Sequence, residues 1–451
     1  MHITLSTRGA EIPKSPDVAA KVKAELVVRP FAPLDPWPKK YSVYVELPDC
    51  FVVPVHWAME AFPDVRLEDT RPAPDPAPAL VFHGALQDSL RQGEAVRAVQ
   101  KEWADHGGAM LCLGTGMGKT VTALHLACTL KLKTLVVVHK TFLKEQWKAR
   151  AAHFVPQARI TEVQGDVCDL AGDIVVAMVQ TLASRKYACP GFGLLIVDEA
   201  HHWAAPQISQ SMFGVCTPYR LALTATPQRA DKLERVVGWF LGPVALCAKR
   251  DQGGKTKVRM VNYSSERYRM PPPVNRRGDL DYTGVVSMLV EDSARTRMLI
   301  DQAVRLVGEG HDVLVLSHRR GHCMEIANGL VSHGIDAATY LGGDKSTPAA
   351  RVLVATFSLT SEGFDCPRLS ALVMATPSSS VEQACGRVMR GTSRDAMIVD
   401  VIDQWGICFA QAAKRRAFYR RSGFAYDSGA PEVPEVDPGP SMVHFAFVDD
   451  T

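Results

Sequence analysis

The chain has 451 residues, of which 47% are apolar and 22% charged, a composition typical of soluble proteins with hydrophobic cores. At about 150 residues per domain this length predicts two or three domains, and the composition excludes a disordered or collagen-like chain. The formal net charge is only +3, so nucleic-acid binding would require basic residues concentrated on one surface. The eleven cysteines form no CxxC pair, which argues against a zinc knuckle. No apolar run is long enough for a membrane span, and we expect a soluble intracellular protein.

The first 80 residues are rich in proline and predict a small, irregular N-terminal extension. One alternating stretch, residues 41–45 (YSVYV), predicts a strand. Residues 71–79 (RPAPDPAPA) cannot form a helix or a central strand, because proline fixes φ and lacks an N–H donor. This stretch predicts a stiff spacer, and a new domain is expected to begin near Val81.

Short apolar runs alternate with helical segments after this spacer. Runs that are apolar at every position are typical of parallel strands with helices on both faces of the sheet. Residues 81–248 are therefore predicted to form a doubly wound α/β domain. Its strands are predicted at residues 109–113, 135–138, 174–177, 194–197 and 221–223, and its helices at residues 121–132 and 140–153.

The α/β pattern returns after a polar interruption. Residues 249–292 are basic and contain three consecutive prolines, which predicts an interdomain segment. Residues 293–425 predict a second doubly wound domain, and residues 426–451 predict a disordered acidic tail. In the second domain, strands are predicted at residues 313–316, 352–355, 371–375 and 396–401, and helices at residues 294–306, 323–331, 381–389 and 407–419.

A glycine-rich turn follows the first predicted strand of the first domain, where residues 113–120 read LGTGMGKT. Three closely spaced glycines allow a tight turn that directs backbone N–H groups at phosphate, with a helix N-terminus behind them. Lys119 would reach the β- and γ-phosphates of ATP, and the Thr120 hydroxyl would bind Mg²⁺. An ordinary strand-to-helix turn is the alternative, which the GKT ending disfavours. The predicted phosphate site comprises Gly114, Thr115, Gly116, Met117, Gly118, Lys119 and Thr120.

An acidic pair, Asp198 and Glu199, follows the strand predicted at residues 194–197. Ligand-binding residues of open α/β sheets cluster at this end of the strands. Asp198 suits a carboxylate that holds Mg²⁺ through water, and Glu199 suits the group that polarises the attacking water. A solvated acidic turn would be equally plausible without the GKT sequence upstream. Thr224 and Thr226 end the next strand in a weaker pattern that suits relayed hydrogen bonds.

The second domain contains two arginines, Arg387 and Arg390, on one face of a predicted helix. Arginines in a cleft neutralise charge on a phosphoryl group during its transfer. Most arginines are surface charges, however, so this pair alone does not indicate catalysis.

Together, the order GTGMGKT, DEAH, TATP, SEGFD and QACGRVMR resembles the superfamily 2 helicases and translocases. The resemblance implies two tandem RecA-like domains that bind ATP and Mg²⁺. It implies catalytic roles for Lys119, Glu199, Arg387 and Arg390, and the family's adenine-reading glutamine is best matched by Gln92, although Gln87 also approximates the pattern. The further nucleotide-binding residues implied by the resemblance are Gly363, Asp365 and Gln383.

Longer runs resemble the DEAD-like helicases of nucleocytoplasmic large DNA viruses, which include the poxvirus transcript-release helicase. These runs are residues 136–147, 173–185, 196–205 and 354–369. The XPB-like and UvsW-like DNA helicases form the next similar branch. The resemblance implies a role in viral transcription, replication or repair, with those machineries as partners, in the host cytoplasm or nucleus or packaged in the virion.

Helicases of this superfamily hold nucleic acid mainly through its phosphates, which predicts sequence-independent binding. Basic side chains concentrate within residues 131–150 and 249–277, although any single lysine is as often simply solvated. The resemblance favours DNA, and RNA remains open. The contacts are predicted at strand ends, by Lys140, Gln146, Trp147, Gln180, Thr181, Arg319 and Thr356.

Three functions are compatible with these motifs. The first is an ATPase that unwinds duplex DNA or a DNA–RNA hybrid. The second is a DNA-stimulated translocase that displaces bound complexes without separating strands. The third is a non-catalytic assembly factor, which the intact Lys119, Asp198, Glu199, Arg387 and Arg390 disfavour.

Overall fold

The chain forms two compact units that divide between Arg250 and Asp251. The computed structural model describes residues 2–31, 38–114, 116–185, 191–204, 206–225, 231–248, 256–276, 278–341, 348–357, 366–379, 381–389 and 395–427. Of the predicted disordered tail, residues 426–451, the part from residue 428 onward lies outside these residues, whereas Tyr426 belongs to a strand and Asp427 pairs with Arg259.

The N-terminal residues form a folded module, where the sequence predicts an irregular extension. Its described strands form a five-stranded, mainly antiparallel sheet in the order β5-β6-β2-β1-β7. The strand predicted at residues 41–45 is instead two short strands in different sheets. The elements are β1 (Ile3–Ser6), β2 (Gly9–Pro13), α1 (Pro16–Glu25), β3 (Val27–Val28), β4 (Tyr41–Ser42), β5 (Val45–Glu46), β6 (Cys50–Val53), α2 (Val55–Ala61) and β7 (Leu67–Asp69).

The proline-rich stretch at residues 71–79, predicted as a stiff spacer, packs along the first unit instead of standing apart from it. Ala77 is buried, and its N–H donates to the carbonyl of Lys131 at 2.9 Å. The Asp75 N–H donates to the carbonyl of Gly191 at 2.7 Å. Proline removes donors from a segment, but the alanine and aspartate between the prolines keep theirs and use them here.

Arg71 joins this stretch to the first α/β sheet. Its Nη1 donates to the Thr217 carbonyl at 2.7 Å, and its Nη2 donates to Asp69 Oδ2 at 2.6 Å. We expect Arg71→Ala to lower the free energy of unfolding by about 2 kcal/mol, because hydrogen bonds of a buried charged group are lost. Urea unfolding monitored by circular dichroism measures this. Arg8→Ala, which removes an exposed ion pair with Glu11, is the control and should have little effect.

The first α/β domain is built on an eight-stranded sheet in the order β11-β10-β12-β9-β13-β14-β8-β15, in which only β11 is antiparallel to its neighbour among the described strands. The predicted strands are present, and β10, β11 and β15 are additional. The strands are β8 (Gly108–Leu113), β9 (Thr134–Val138), β10 (Ile160–Gln164), β11 (Val167–Cys168), β12 (Ile174–Met178), β13 (Leu194–Val197), β14 (Tyr219–Thr224) and β15 (Val244–Ala248). The helices are α3 (Gln92–His106), α4 (Lys119–Leu130), α5 (Thr141–Phe154), α6 (Val179–Arg185), α7 (Pro206–Ser211) and α8 (Glu234–Leu241).

Both faces of this sheet are buried, as the all-apolar runs predict. In β9, Leu135 and Val137 pack into one hydrophobic cluster, while Val136 and Val138 pack into another. The first cluster also contains Ile3, Phe51 and other residues of the N-terminal module, so the module shares a core with the sheet. Burial of apolar area is the main stabilising term in such cores, which makes the module part of the first unit.

The second unit contains a seven-stranded sheet in the order β18-β19-β17-β20-β21-β16-β22, with parallel pairing throughout its described strands. Two tandem α/β domains with parallel sheets therefore confirm the predicted fold class. The strands are β16 (Thr256–Tyr263), β17 (Val313–Ser317), β18 (Ala337–Tyr340), β19 (Val352–Thr356), β20 (Ala371–Met374), β21 (Ala396–Asp403) and β22 (Ala425–Tyr426). The helices are α9 (Tyr282–Val290), α10 (Ser293–Gly308), α11 (Arg320–Ser332), α12 (Glu382–Val388) and α13 (Gly406–Arg421).

Much of the predicted interdomain segment belongs to this second unit. Strand β16 pairs along its whole length with β21, and α9 follows it. The polar side chains of β16 obscure this strand in the sequence, because Arg259 is buried through ion pairs with Glu309 and Asp427. No helix of the described residues is long and apolar enough to cross a membrane.

Candidate active site

The glycine-rich turn connects the buried strand β8 to helix α4. The Gly114 N–H donates to the Ala248 carbonyl at 3.0 Å, and the Met117 N–H closes the turn on Gly114 at 3.2 Å. Gly116 and Gly118 have φ values of +81° and +76°, a region that glycine enters without steric cost. Thr115 lies outside the described residues. The loop backbone thus has the conformation and the helix start that phosphate binding requires.

Lys119 opens α4 and folds back over this turn. Its Nζ donates to the Leu113 carbonyl at 3.1 Å. Thr120 follows it in the first turn of α4 and is half-buried. A lysine held by a single backbone carbonyl can turn to a phosphate, because that hydrogen bond is easily exchanged for a stronger, charge-assisted one.

Gln92 lies against the phosphate loop. It is 2% exposed; its Nε2 donates to the Met117 carbonyl at 3.3 Å, and its Oε1 accepts from the Gln87 N–H at 2.8 Å. A Cβ on Gly118 would meet the side-chain amide of Gln92, and the φ of +76° also favours glycine at this position. The two glutamines that the sequence offers for reading adenine are therefore neighbours, and Gln92 braces the loop. Its role in reading the base stays a prediction.

Asp198 lies directly beyond β13 and is only 6% exposed. Its N–H donates to the Val137 carbonyl at 3.0 Å, which extends the pairing of β13 with β9. Its Oδ2 accepts from Trp147 Nε1 at 2.8 Å, and its Oδ1 accepts from the Glu199 N–H at 2.9 Å. Burial and the adjacent Glu199 carboxylate raise the pKa of Asp198 to about 6, against the lowering effects of Trp147 and Lys119. A buried carboxylate short of positive charge suits a cation ligand.

Glu199 combines an unusual backbone with an unsatisfied carboxylate oxygen. Its φ is +47°, in the left-handed region that glutamate rarely enters. Its Oε2 is buried without a hydrogen bond from any described residue, and His201 Nδ1 lies 3.4 Å away. Buried polar atoms without partners are rare, and strained backbone collects at functional sites. Glu199 therefore keeps acceptor capacity next to Asp198, which suits the water activation that the sequence predicts for it.

His201 links the acidic motif to the end of the neighbouring strand. Its Nδ1 lies 3.1 Å from the Thr224 hydroxyl, within hydrogen-bond distance. Thr224 ends β14, next to β8 and β13 in the sheet. This contact agrees with the relay that the sequence suggests for Thr224, whereas Thr226 lies outside the described residues.

The structure corrects two of the predicted nucleic-acid contacts. Trp147 is 1% exposed and bound to Asp198, so it cannot stack on a base. Thr181 is 7% exposed, and its hydroxyl accepts from the Gly165 N–H at 3.0 Å. Both side chains point into the protein because their helices, α5 and α6, pack against the sheet on these faces.

The other predicted contacts in the first unit lie at the surface. Gln180 is exposed and donates to the His139 carbonyl at 2.8 Å, next to Lys140. Lys140 caps α5, and Gln146 is half-buried on the same helix. In the second unit, Thr356 pairs with Ser317 at the ends of β19 and β17, and Arg319 Nη2 donates to the Thr283 carbonyl at 3.1 Å.

Much of the basic character at residues 131–150 is neutralised within the protein. Lys144 is buried, with Glu145 and Glu162 each 3.0 Å from its Nζ, and Lys148 contacts Glu162 as well. Lys133 pairs with Asp75 at 3.1 Å. In the second unit, Arg259 and Arg269 are likewise held by carboxylates. The predicted basic surface is therefore smaller than the sequence suggests.

Several predicted site residues lie outside the described part of the chain. Helix α12, which carries Arg387, is described as a backbone element. The side chains of Arg387 and Gln383 are not among the described ones, and neither are residues Gly363, Asp365 and Arg390. Their roles stay predictions.

Sequence reasoning missed one residue that the structure places at the site. Trp147 stands 51 residues before Asp198 and was assigned to the nucleic-acid surface. No spacing signal connects the two positions, since the contact arises only when α5 packs over the sheet.

Comparisons with known proteins agree with this site. Residues 87–229, which contain the phosphate loop and the acidic motif, match the family model described as "Type III restriction enzyme, res subunit". The mimivirus protein "Putative ATP-dependent RNA helicase L396" (Acanthamoeba polyphaga mimivirus) is 25% identical over 421 residues, covering 88% of this chain and 80% of that protein. "Putative helicase 055L" of Frog virus 3 is 29% identical over 364 residues, covering 77% of this chain and 81% of that protein. Over most of its length the chain is therefore similar to viral proteins named as putative helicases.

The helicase domain of Hef from Pyrococcus furiosus is similar at 15% identity with a TM-score of 0.49, covering 72% of this chain and 98% of that chain. The matches to the family model and to the viral relatives make the chain an ATP-hydrolysing enzyme of the helicase type that binds nucleic acid. The predicted enzyme class is thereby confirmed, as is the resemblance to helicases of large DNA viruses.

Proposed function

We propose that this helicase couples ATP hydrolysis to the unwinding of duplex DNA or a DNA–RNA hybrid while it moves along one strand. The observation that carries the proposal is the arrangement of Lys119, Asp198 and Glu199. The cation of Lys119 is close enough to Asp198 to lower its pKa, and Glu199 adjoins Asp198 with a buried, unbonded oxygen. A protein without hydrolysis would have no use for this costly set of buried and strained groups.

The chemistry follows from these side chains. The loop N–H groups and Lys119 would bind the phosphates, while Thr120 and Asp198 would hold Mg²⁺, which would supply positive charge against the phosphates. Glu199 then orients water for in-line attack and accepts its proton. The contact between His201 and Thr224 would connect the acidic motif to the carboxyl end of β14.

DNA is the substrate that we propose, with RNA as the alternative that the name of the mimivirus relative suggests. A role in transcription, replication or repair in a viral setting is consistent with the viral relatives. The choice is tested with 3′- and 5′-tailed duplexes of DNA, RNA and hybrid, each with ATP. Strand separation of DNA or hybrid supports the proposal, and separation of RNA duplexes alone overturns the DNA assignment.

A translocase that displaces bound complexes is the second candidate. It would hydrolyse ATP in the presence of DNA and remove a stalled protein from it, yet leave tailed duplexes intact. The two assays run side by side, with Lys119→Ala as the inactive control. Absence of stimulated hydrolysis with every nucleic acid would instead favour the assembly-factor alternative.

Lys140 provides a prediction for nucleic-acid binding. It stands at the carboxyl end of β9 and makes no ion pair with any described residue. If it contacts a phosphate, Lys140→Ala should reduce the slope of log affinity against log salt by about 0.7 to 0.9. Fluorescence anisotropy with labelled single strands at several salt concentrations measures the slope. Lys133→Ala, at the opposite end of β9 and paired with Asp75, should leave the slope unchanged. If the slope of log affinity against log salt is the same in Lys140→Ala, Lys133→Ala and the wild type, Lys140 does not contact a phosphate.

A further inference from the structure

Trp147 holds the carboxylate to which the proposed function assigns Mg²⁺. Its indole Nε1 donates to Asp198 Oδ2 at 2.8 Å, and the two side chains are 1% and 6% exposed. The hydrogen bond connects helix α5 to the end of β13. We propose that Trp147 is a positioning residue for ATP hydrolysis, which orients the Asp198 carboxylate so that it accepts Mg²⁺ or a water bound to it. This inference rests on the proposed function.

Two donors determine the plane of the Asp198 carboxylate. Oδ2 accepts from Trp147, and Oδ1 accepts from the Glu199 N–H at 2.9 Å. A carboxylate has about four lone-pair positions, so these bonds leave acceptor capacity on both oxygens. The group is therefore oriented and still able to bind a cation. Without the indole, the adjacent backbone N–H would be its one remaining hydrogen-bond donor among the described residues.

An indole is chemically suited to this task. Its N–H donates but does not accept, and it carries no charge, so it neither neutralises Asp198 nor competes for the metal ion. The cation of Lys119 lowers the pKa of Asp198, yet the hydrogen bond of its Nζ goes to the Leu113 carbonyl. Lys119 thus stays available for phosphate while Trp147 orients the carboxylate.

The indole ring itself has little freedom. Trp147 lies in the hydrophobic cluster on one face of the sheet, together with Leu143 and Ala151 of its own helix and Val138 and Val176 of two strands. A side chain locked by close packing can direct its N–H in only one way. Partners of this kind, one step removed from the metal ion, typically change metal affinity or activity by about 10- to 100-fold.

The test compares Trp147→Phe with the wild type in the full-length chain. Phenylalanine keeps an aromatic ring in the core but has no N–H donor. The measurement is equilibrium binding of a fluorescent ADP analogue, with Mg²⁺ or with a chelator. Without Mg²⁺, we expect Trp147→Phe to bind the ADP analogue as tightly as the wild type does. On addition of Mg²⁺, the affinity of the variant for the analogue should increase by a factor about 10- to 100-fold smaller than that of the wild type. The Mg²⁺ concentration for half-maximal ATPase should rise by a similar factor, with much of the rate restored at saturating Mg²⁺.

Trp103→Phe is the matched control. Trp103 lies in the same hydrophobic cluster, and its Nε1 donates to the Arg220 carbonyl at 2.9 Å. Its replacement also removes ring area and a buried indole hydrogen bond, so a general loss of stability would appear in both variants. Only the Trp147 variant should change the Mg²⁺ dependence. Equal changes of the Mg²⁺ dependence in the two variants would overturn the inference. An unchanged Mg²⁺ dependence in Trp147→Phe would overturn it as well.

Unfolding of the variant and a missing Mg²⁺ response of the wild type would each have a different meaning. If Trp147→Phe shows no cooperative melting, Trp147→Met replaces it, because methionine fills irregular core space and also lacks a donor. If the wild type itself gains no nucleotide affinity from Mg²⁺, the proposed role of Asp198 fails. If instead the wild type and the Trp147 variant gain the same nucleotide affinity from Mg²⁺, only the positioning role of Trp147 is refuted, and the proposed role of Asp198 stands.

Discussion

Arg387→Ala and Arg390→Ala are each expected to lower nucleic-acid-stimulated ATP turnover by about 10³-fold or more, the contribution of arginines that contact a transferred phosphoryl group. The resemblance to superfamily 2 helicases assigns both residues to the phosphates. A fixed guanidinium stabilises charge that grows in the transition state, so its loss acts on the rate more than on ATP binding. Steady-state ATPase assays at saturating single-stranded DNA measure this effect.

The matched control for these variants is Arg305→Ala. Arg305 is an exposed arginine of α10 that pairs with Glu309, so its removal takes away the same charge from the second unit. We expect its turnover to equal that of the wild type. Thermal melting of all three variants tests whether the fold survives. Wild-type turnover in both motif variants would show that the second domain does not complete the active site.

Glu199→Gln is expected to lower ATP turnover by about 10²- to 10⁴-fold, the usual contribution of a general base, while ATP binding is retained. The side chain keeps its size and loses its charge, so the backbone with φ +47° is not disturbed. Loss of the charge also removes repulsion from Asp198, whose pKa Glu199 raises. ATP binding by filter retention and hydrolysis by phosphate release are measured on the same preparation.

Lys119→Ala tests ATP binding separately from the activation of water. Removal of the cation at the phosphates should weaken ATP binding as well as abolish turnover, in contrast to Glu199→Gln.

The control for Glu199→Gln is Glu68→Gln, on the exposed strand β7 of the N-terminal module, which also removes a carboxylate from the first unit. Hydrolysis at the wild-type rate by Glu199→Gln would assign water activation to another group.

The structure also separates buried from available lysines. Lys140 and Lys144 look equivalent in the sequence, since both stand among basic residues near the end of β9. In the fold, Lys144 is 4% exposed and held by Glu145 and Glu162, whereas Lys140 is half-buried at the N-cap of the helix and has no ion pair with any described residue. The difference depends on Glu162, which only the pairing of β10 with β12 brings to α5.

The features of this protein that depend on local order can be predicted from its amino-acid sequence alone. All-apolar runs specify strands buried on both faces, glycine spacing specifies the turn from β8 to α4, and a carboxylate after β13 must lie at the same sheet edge as that turn. These inferences need only the geometry of parallel strands, whose carboxyl ends share one edge. The helicase assignment follows because the motifs keep a fixed order along the chain.

Contacts between side chains that are far apart in the sequence become apparent in the folded chain and could not be predicted from local patterns. Trp147 and Asp198 are joined because α5 packs on the sheet, and the proline-rich stretch is ordered because Ala77 finds the Lys131 carbonyl. Strand β16 carries charges that look exposed until Glu309 and Asp427 pair with Arg259. Local sequence patterns indicate which apolar residues are buried. They do not indicate the hydrogen-bond or ion-pair partner that makes the burial of a polar side chain favourable. That partner is selected by the packing of distant segments, where hydrogen bonds and ion pairs offset the cost of removing polar groups from water.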